Sequence, residues 1–330
     1  MIYRVGWSVD TKPKIPLLII AGPTATGKTE VAVKVAERLD GEVVSADSML
    51  IYRHMDIGTA KPNNEEKKNI PHHLIDVVNP DDNYTVANFQ EQARQAIEDI
   101  NARDKIPILA GGTGFYIDAV IFDYDFNRVA PDTNLRQMLK QEAEDKGNQV
   151  VHDRLRLVDP ETADRIHANN LKRVIRALEI YHQTGLVGAL QRNQSKKEYR
   201  SYNKLFFCLH YERDKLYSRI EKRVDLMIAH GLVQEVRELL NHGYRPEHVS
   251  MQGVGYKEII GYLYDWYSLE EAVHMLKRNT RRFAKRQLTW FRRYSNIKWI
   301  DMGQYVSTYH AADEIIGLAR KKWQVEIKKK

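Results

Sequence analysis

Leu17-Leu18-Ile19-Ile20-Ala21 runs directly into Gly22-Pro23-Thr24-Ala25-Thr26-Gly27-Lys28-Thr29. Five consecutive apolar residues ending at a glycine predict a short strand buried on both faces, the pattern of a parallel sheet. The eight residues from Gly22 to Thr29 match G-x-x-x-x-G-K-[ST], and Val31, Val35 and Leu39 behind them recur at helical spacing. In a strand–loop–helix of this kind, backbone N–H groups and a helix N-terminus converge on phosphate oxygens. Lys28 then brings a mobile point charge to the terminal phosphate, and the Thr29 hydroxyl reaches Mg²⁺.

Outward from this segment, similar apolar runs recur at Val43–Ala46, Leu74–Val78 and Ile106–Ala110, each followed by a polar or glycine-rich turn. Between them Phe89, Ala93, Ala96, Ile97 and Ile100 follow a second helical pattern, with Thr85 placed as its N-cap. This alternation predicts a parallel α/β sheet. After about Asp123 the pattern changes to charge-rich helices over 133–146 and 171–183, and strand-like runs return at Leu205–Leu209 and Ile297–Ile300. The expected architecture is α/β, a P-loop parallel-sheet core with an inserted helical domain. Residues 1–123 form the first part of the core, 124–200 the insertion, and 201–330 the resumed core.

Composition narrows the class further. With 43% hydrophobic and 29% charged residues, 18 Gly and 10 Pro in 330 residues, the chain is not disordered, collagen-like or of low complexity. Cys208 is the sole cysteine, which excludes an intramolecular disulfide and a cysteine-based zinc finger and fits a reducing compartment. The run at Leu17–Ala21 falls far short of the roughly 18 residues of a membrane span. A cytoplasmic protein without a membrane partner is expected, and no obligate protein partner is evident.

Lys and Arg total 51 against 44 Asp and Glu, a net charge of +7. The excess is concentrated: Lys277 to Arg293 holds eight basic residues and no acidic one. On a helix, Arg278, Arg281, Arg282, Lys285, Arg286, Arg292 and Arg293 fall within an arc of about 140°. Leu276, Phe283, Trp290 and Phe291 lie opposite, where they would anchor the helix. A solvated basic face is the bland alternative, but cations without an intervening acid repel one another unless a polyanion joins them. A helix near 275–293 that binds nucleic-acid phosphates is therefore expected.

The glycine-rich loop specifies phosphate without specifying which. Most such loops hold ATP or GTP, so a small-molecule kinase or nucleotide hydrolase is one reading, and a non-catalytic RNA-binding protein using the basic helix is another. The usual hydrolytic station, four apolar residues ending in paired carboxylates, is missing. Its nearest equivalents are Asp47, after Val43–Ala46, and Asp76, which reads as a structural carboxylate.

Seven further blocks closely resemble the tRNA dimethylallyltransferases, also called tRNA isopentenyltransferases, of the bacterial type without a zinc finger. They are Ala46-Asp47-Ser48-Met49-Leu50-Ile51-Tyr52, Gly58-Thr59-Ala60-Lys61-Pro62, Pro71-His72-His73-Leu74-Ile75-Asp76, Gly111-Gly112-Thr113-Gly114, Lys172-Arg173-Val174-Ile175-Arg176-Ala177-Leu178-Glu179, Gly253-Val254-Gly255-Tyr256-Lys257 and Lys285-Arg286-Gln287-Leu288-Thr289-Trp290-Phe291-Arg292. The resemblance spans about residues 15 to 300. It implies transfer of a dimethylallyl group from dimethylallyl diphosphate to N6 of adenosine 37, beside the tRNA anticodon, with release of diphosphate. The loop would then cradle the diphosphate of a prenyl donor, where a water-positioning station is unwanted.

The exocyclic amine of adenine is a weak nucleophile and needs a hydrogen-bond acceptor as its bond to carbon forms. Asp47, at the C-terminal end of a predicted strand where α/β sheets bind ligands, is the candidate, and it matches the family's catalytic aspartate. An N-cap or Mg²⁺-shell carboxylate is its structural alternative, and Ser48 is a possible second hydroxyl near the metal. By the same resemblance Thr113 shares the reaction channel, its flanking glycines admitting a ligand, and Arg223 holds diphosphate. Arg219, one helical turn from Arg223, belongs to the same face. Tyr52, Phe115 and Tyr116 are candidate shields for the prenyl tail, although aromatic residues in such places are more often core.

The tRNA anticodon stem-loop would meet Asp47, Ser48, Met49, Leu50 and Thr113. It would also meet Arg136, the Lys172-Arg173-Val174-Ile175-Arg176 segment, Gln252, Gly255, Tyr256 and Lys257, and Arg278, Arg282, Lys285, Arg286 and Gln287 of the basic helix. Lys257 stands where many relatives carry Arg, preserving charge without bidentate geometry. His72 and His73 are adjacent, so in an extended segment they point to opposite faces and read as structural.

Overall fold

The computed structural model describes residues 14–124, 126, 131–185, 187, 199 and 201–324. The basic tail Lys328–Lys330 lies outside them. The chain divides into two units, one formed by Met1–Val120 with Arg200–Lys330 and the other by Ile121–Tyr199.

The larger unit begins with β1 (Ile15–Ala21), α1 (Lys28–Leu39), β2 (Gly41–Ser45), the short α2 (Asn64–Lys67) and β3 (His72–His73). It continues through α3 (Val86–Ala102), β4 (Ile106–Gly111) and α4 (Gly114–Ile121). The inserted unit holds α5 (Thr133–Lys146), α6 (Asn148–Val158), α7 (Pro160–Arg165) and α8 (Leu171–Thr184). The larger unit then resumes with β5 (Tyr202–His210), α9 (Arg213–Ala229), α10 (Leu232–Asn241), α11 (Tyr256–Leu263), α12 (Leu269–Phe291), β6 (Lys298–Asp301) and α13 (Thr308–Trp323).

Six strands form one sheet in the order β3-β2-β4-β1-β5-β6, every pair parallel. Leu17 to Ala21 are fully buried because β1 sits between β4 and β5. This explains why that strand reads as an unbroken apolar run. Val31, Val35 and Leu39 of α1 join Ala311, Ala312, Ile315 and Ile316 of α13 in a core against the sheet. A second core joins Ile51, Tyr52 and Met55 to Val224, Leu232, Val236, Tyr256, Ile259 and Leu276. The site described below is built from residues of this unit alone.

Thr85 caps α3, its hydroxyl accepting from the Asn88 N–H. The strand expected over Leu74–Val78 does not form. Leu74 (φ 62°) and Asp76 (φ 56°) are left-handed, which breaks the extended ladder after His73. Asp76 instead faces the Lys61 ammonium, which also pairs with Asp56 and donates to the Tyr52 carbonyl at 2.8 Å. His73 bonds the buried Glu42 carboxylate and His72 bonds the Ile70 carbonyl, each at 2.8 Å.

In the inserted unit Leu139, Val151, Leu155, Val174, Ile175 and Leu178 form a separate helical core. Glu179 is fully buried there, and burial alone would raise its pKa. Hydrogen bonds from Arg136 and Arg176 overcome that and hold it below the usual carboxylate range. Among the described residues no helix is long and apolar enough to cross a membrane.

Candidate active site

The glycine-rich loop owes its shape to three left-handed residues, Gly22 (φ 149°), Ala25 (φ 65°) and Gly27 (φ 85°). At Gly22 a Cβ would lie 2.4 Å from the Leu209 carbonyl oxygen, so glycine is required where the loop leaves β1 against β5. Thr26 donates its hydroxyl to the Pro23 carbonyl at 2.8 Å, and the Arg219 guanidinium donates to the Ala25 carbonyl at 2.8 Å. Gly27 leads into α1 without a side-chain cap, so the first N–H groups of that helix are left for a ligand.

Lys28 donates to the Pro23 carbonyl at 2.7 Å. Burial pushes its pKa down to about 8; the Asp47 charge works against that shift and the Arg223 charge reinforces it. Arg223, on α9, donates to the Thr59 carbonyl at 3.2 Å, and burial likewise lowers its pKa, opposed by Asp47. The neighbouring Cys208 thiol is pushed up to about 12 by burial, so it stays protonated. Two half-buried cations therefore face one carboxylate, an arrangement suited to a polyanionic ligand.

Asp47 follows β2, and its Oδ1 accepts from the Met49 N–H at 2.9 Å in an Asx turn. Thr113 is tied to the same turn. It accepts from the Ser48 N–H at 3.0 Å, donates to the Ser48 hydroxyl at 3.2 Å, and its own N–H donates to the Ala46 carbonyl at 3.1 Å.

Thr24, Lys28, Thr29, Asp47, Ser48 and Arg223 line one cavity of about 370 Å³. Thr113 is not among its walls and reaches it through Ser48. Gly112 and Gly114 do not open space for a ligand. A Cβ on Gly112 would meet the Gln287 Nε2 at 2.3 Å, and one on Gly114 would meet the Trp290 Cδ1 at 2.1 Å, so both glycines admit α12.

The far wall is apolar, formed by Ile220, Val224, Met227, Val254, Leu276 and Phe283. Tyr52, Phe115 and Tyr116 do not line it: Tyr52 is core, Tyr116 stacks on Phe89 at 3.9 Å, and Phe115 packs edge-on to Trp290. Ile220, Val224 and Met227 share the face of α9 that carries Arg223, so the helical period around that arginine was the available signal.

Gln287 is buried, with both ends of its amide engaged. Its Oε1 accepts from the Thr24 N–H of the phosphate loop and its Nε2 donates to the Gly112 carbonyl, each at 2.9 Å. This residue, expected to contact RNA, lines the cavity and is also the crosspiece between the loop and the Thr113 segment. Another residue missed in the sequence is Glu235, whose carboxylate accepts from the N–H groups of Asp56, Ile57 and Gly58 and from the Tyr256 hydroxyl. It fixes the turn that presents the Thr59 carbonyl to Arg223.

Of the other residues expected at RNA, Met49, Leu50, Gln252, Lys257 and Arg286 line the cavity. Gly255 and Tyr256 are buried. On α12, Arg282, Lys285 and Arg286 are exposed and Arg278 is half-buried, and none has an ion-pair partner among the described residues. The cationic arc is less uniform than its sequence suggests, because Glu221 of α9 pairs with Arg281, Asp225 pairs with Lys277 at 2.6 Å, and Asp118 lies 3.4 Å from Arg293. The helix ends at Phe291, so Arg292 and Arg293 lie past its last turn.

In the inserted unit Arg136 and Arg176 are committed to Glu179, and the Val174 and Ile175 side chains are buried. Lys172 and Arg173 are exposed at the start of α8.

A parallel sheet whose central strand feeds a glycine-rich loop into a helix, with Lys28 and Arg223 lining one cavity, defines an α/β protein of the P-loop-like fold class. A family model described as IPP transferase matches residues 50–294, and the chain belongs to that family. It is 52% identical to the tRNA dimethylallyltransferase of Alkaliphilus oremlandii over 91% of this chain and 96% of that one. It is also 52% identical to the protein of the same name from Pelotomaculum thermopropionicum, over 92% and 96%.

Among solved structures it resembles the tRNA isopentenylpyrophosphate transferase of Bacillus halodurans, at 43% identity and a TM-score of 0.70, covering 94% of this chain and 99% of that one. It also resembles a eukaryotic dimethylallyltransferase acting on tRNA, at 29% identity and a TM-score of 0.81, over 96% and 81%.

Proposed function

We propose that this chain transfers a dimethylallyl group from dimethylallyl diphosphate to N6 of an adenosine beside the tRNA anticodon, adenosine 37, and releases diphosphate. The observation that carries the reading is one cavity in which a glycine-rich loop, two half-buried cations, one carboxylate and an apolar wall meet.

The donor's diphosphate lies against the loop N–H groups and the start of α1, with Lys28 and Arg223 offsetting the charge that builds as the C1–oxygen bond breaks. Its hydrocarbon tail rests on the α9 and α12 side chains, away from water that would capture the allylic centre. Asp47 accepts a hydrogen bond from the attacking amine. Ser48, held by Thr113, keeps the Asp47 turn in place.

Thr29 and Ser48 supply hydroxyl oxygens at the cavity wall that would hold a Mg²⁺ ion beside the diphosphate. When bound, that ion would neutralise the leaving group. Arg282, Lys285 and Arg286, with Lys172 and Arg173 of the inserted unit, offer cations to RNA phosphates, and the target adenine leaves its stack to enter the cavity. The cytoplasm, where tRNA is processed and Cys208 stays reduced, is the proposed location.

Incubation with labelled dimethylallyl diphosphate, Mg²⁺ and unmodified tRNA, followed by nuclease digestion, tests this. The expected result is label on one adenosine per tRNA, abolished in Asp47→Ala while tRNA affinity is kept. Phosphate release from ATP with no label in RNA would favour a nucleotide hydrolase instead.

A further inference from the structure

The turn between α11 and α12 carries Tyr264, Trp266 and Tyr267 beside a second cavity of about 310 Å³ in the same unit. Gln252 and Lys257 line both this cavity and the first, so the two spaces share a wall. Trp266 is 68% exposed and Tyr264 45%, their rings edge-to-face at 5.8 Å. A single exposed aromatic is ordinary, but Trp266 lines the cavity with the exposed Tyr264 ring set against it, and such a pair marks a contact surface.

The backbone holds this surface rigidly. Asp265 is left-handed (φ 58°), which turns the chain sharply, and the Trp266 N–H donates to the Gly261 carbonyl at 2.9 Å. Tyr267 packs over Gly261 so closely that a Cβ there would meet its hydroxyl at 2.1 Å, and that hydroxyl donates to the Glu258 carbonyl at 3.0 Å. Glu258 is buried, with its carboxylate satisfied by the Gly255 N–H and by the Asn279 amide at 2.8 and 2.7 Å. Lys257 also pairs with this carboxylate, its Nζ lying 3.8 Å from Oε1. Lys257 is the cation at the rim, and the amides of Gln252 and Asn279 supply polar edges.

An aromatic face, amide edges and one rim cation, continuous with a site for a flipped adenosine, match an unstacked nucleobase followed by its phosphate. The geometry points to a second nucleotide station: Trp266 stacks a base of the RNA strand next to the target adenosine, and Lys257 meets the phosphate between them. This rests on the RNA-substrate reading above.

The test uses the full chain, labelled dimethylallyl diphosphate and an anticodon stem-loop RNA with adenosine on the 3′ side of the anticodon. Trp266→Ala should raise the KM for RNA about 5- to 150-fold, with kcat at saturating RNA and donor affinity unchanged. The slope of log affinity against log salt should stay at the wild-type value, because a stacked base carries no charge to the interface. Trp266→Phe should recover most of the loss. A wild-type KM in Trp266→Ala, with the wild-type enzyme labelling the RNA, overturns the station. Failure of the wild-type enzyme to label any RNA overturns the underlying reading and the station with it.

Discussion

Replacing Gln287 with Ala removes two hydrogen bonds at once, those from the Thr24 N–H and to the Gly112 carbonyl, both 2.9 Å and both against a side chain only 6% exposed. Each orphaned backbone group costs about 1–3 kcal/mol unless water replaces the amide. The total loss is therefore at least about 2 kcal/mol. The two groups belong to the glycine-rich loop, where the donor is proposed to lie, and to the segment that carries Thr113, so part of that loss falls on their registry. If about 1.4–2.8 kcal/mol is lost from the transition state, kcat falls roughly 10- to 100-fold.

Steady-state transfer with labelled donor and tRNA measures kcat, and denaturant unfolding measures stability. Gln287→Glu keeps the acceptor for Thr24 but sets a buried carboxylate against the Gly112 carbonyl, so it should be at least as damaging as Ala. Wild-type kcat together with a wild-type unfolding midpoint in Gln287→Ala would refute the crosspiece.

Two further outcomes follow from the charges. Lys28 has a pKa of about 8 in the folded chain against 10.5 unfolded, so donor affinity should weaken as pH rises through 8. The unfolded chain binds the extra proton between those values, so the contribution of Lys28 to folding stability rises with pH over the same window. Donor Kd measured from pH 7 to 9.5 checks the first; a pH-independent Kd in wild type would contradict it, whereas Lys28→Ala should show a weak, flat profile. Arg282→Ala with Arg286→Ala should reduce the slope of log tRNA affinity against log salt by about 1.4 to 1.8, at 0.7–0.9 per phosphate contact. An unchanged slope would remove these residues from the interface.

The phosphate loop and the helix behind it are legible because burial on two faces and helical periodicity both leave local signals, as Leu17–Ala21 and Val31, Val35 and Leu39 illustrate. Leu74–Val78 misleads because an apolar run says nothing of the left-handed backbone at Leu74 and Asp76. Residues whose partners are distant in sequence are harder still. Gln287 looks like one more polar residue on a basic helix until Thr24 and Gly112 are beside it, and Glu235 looks like a surface carboxylate until three N–H groups converge on it. The glycines at 112 and 114 read from the sequence as admitting a ligand. Only the fold shows that the close approach is made by Gln287 and Trp290.

Calorimetric titration of the purified chain with dimethylallyl diphosphate and Mg²⁺, and separately with ATP and Mg²⁺, tests most directly what the Lys28 loop holds. The account predicts saturable one-to-one binding of the prenyl donor, competed by inorganic diphosphate and lost in Lys28→Ala, with no comparable saturation by ATP. Saturation by ATP with consumption of its terminal phosphate, and no heat from the donor, would contradict it.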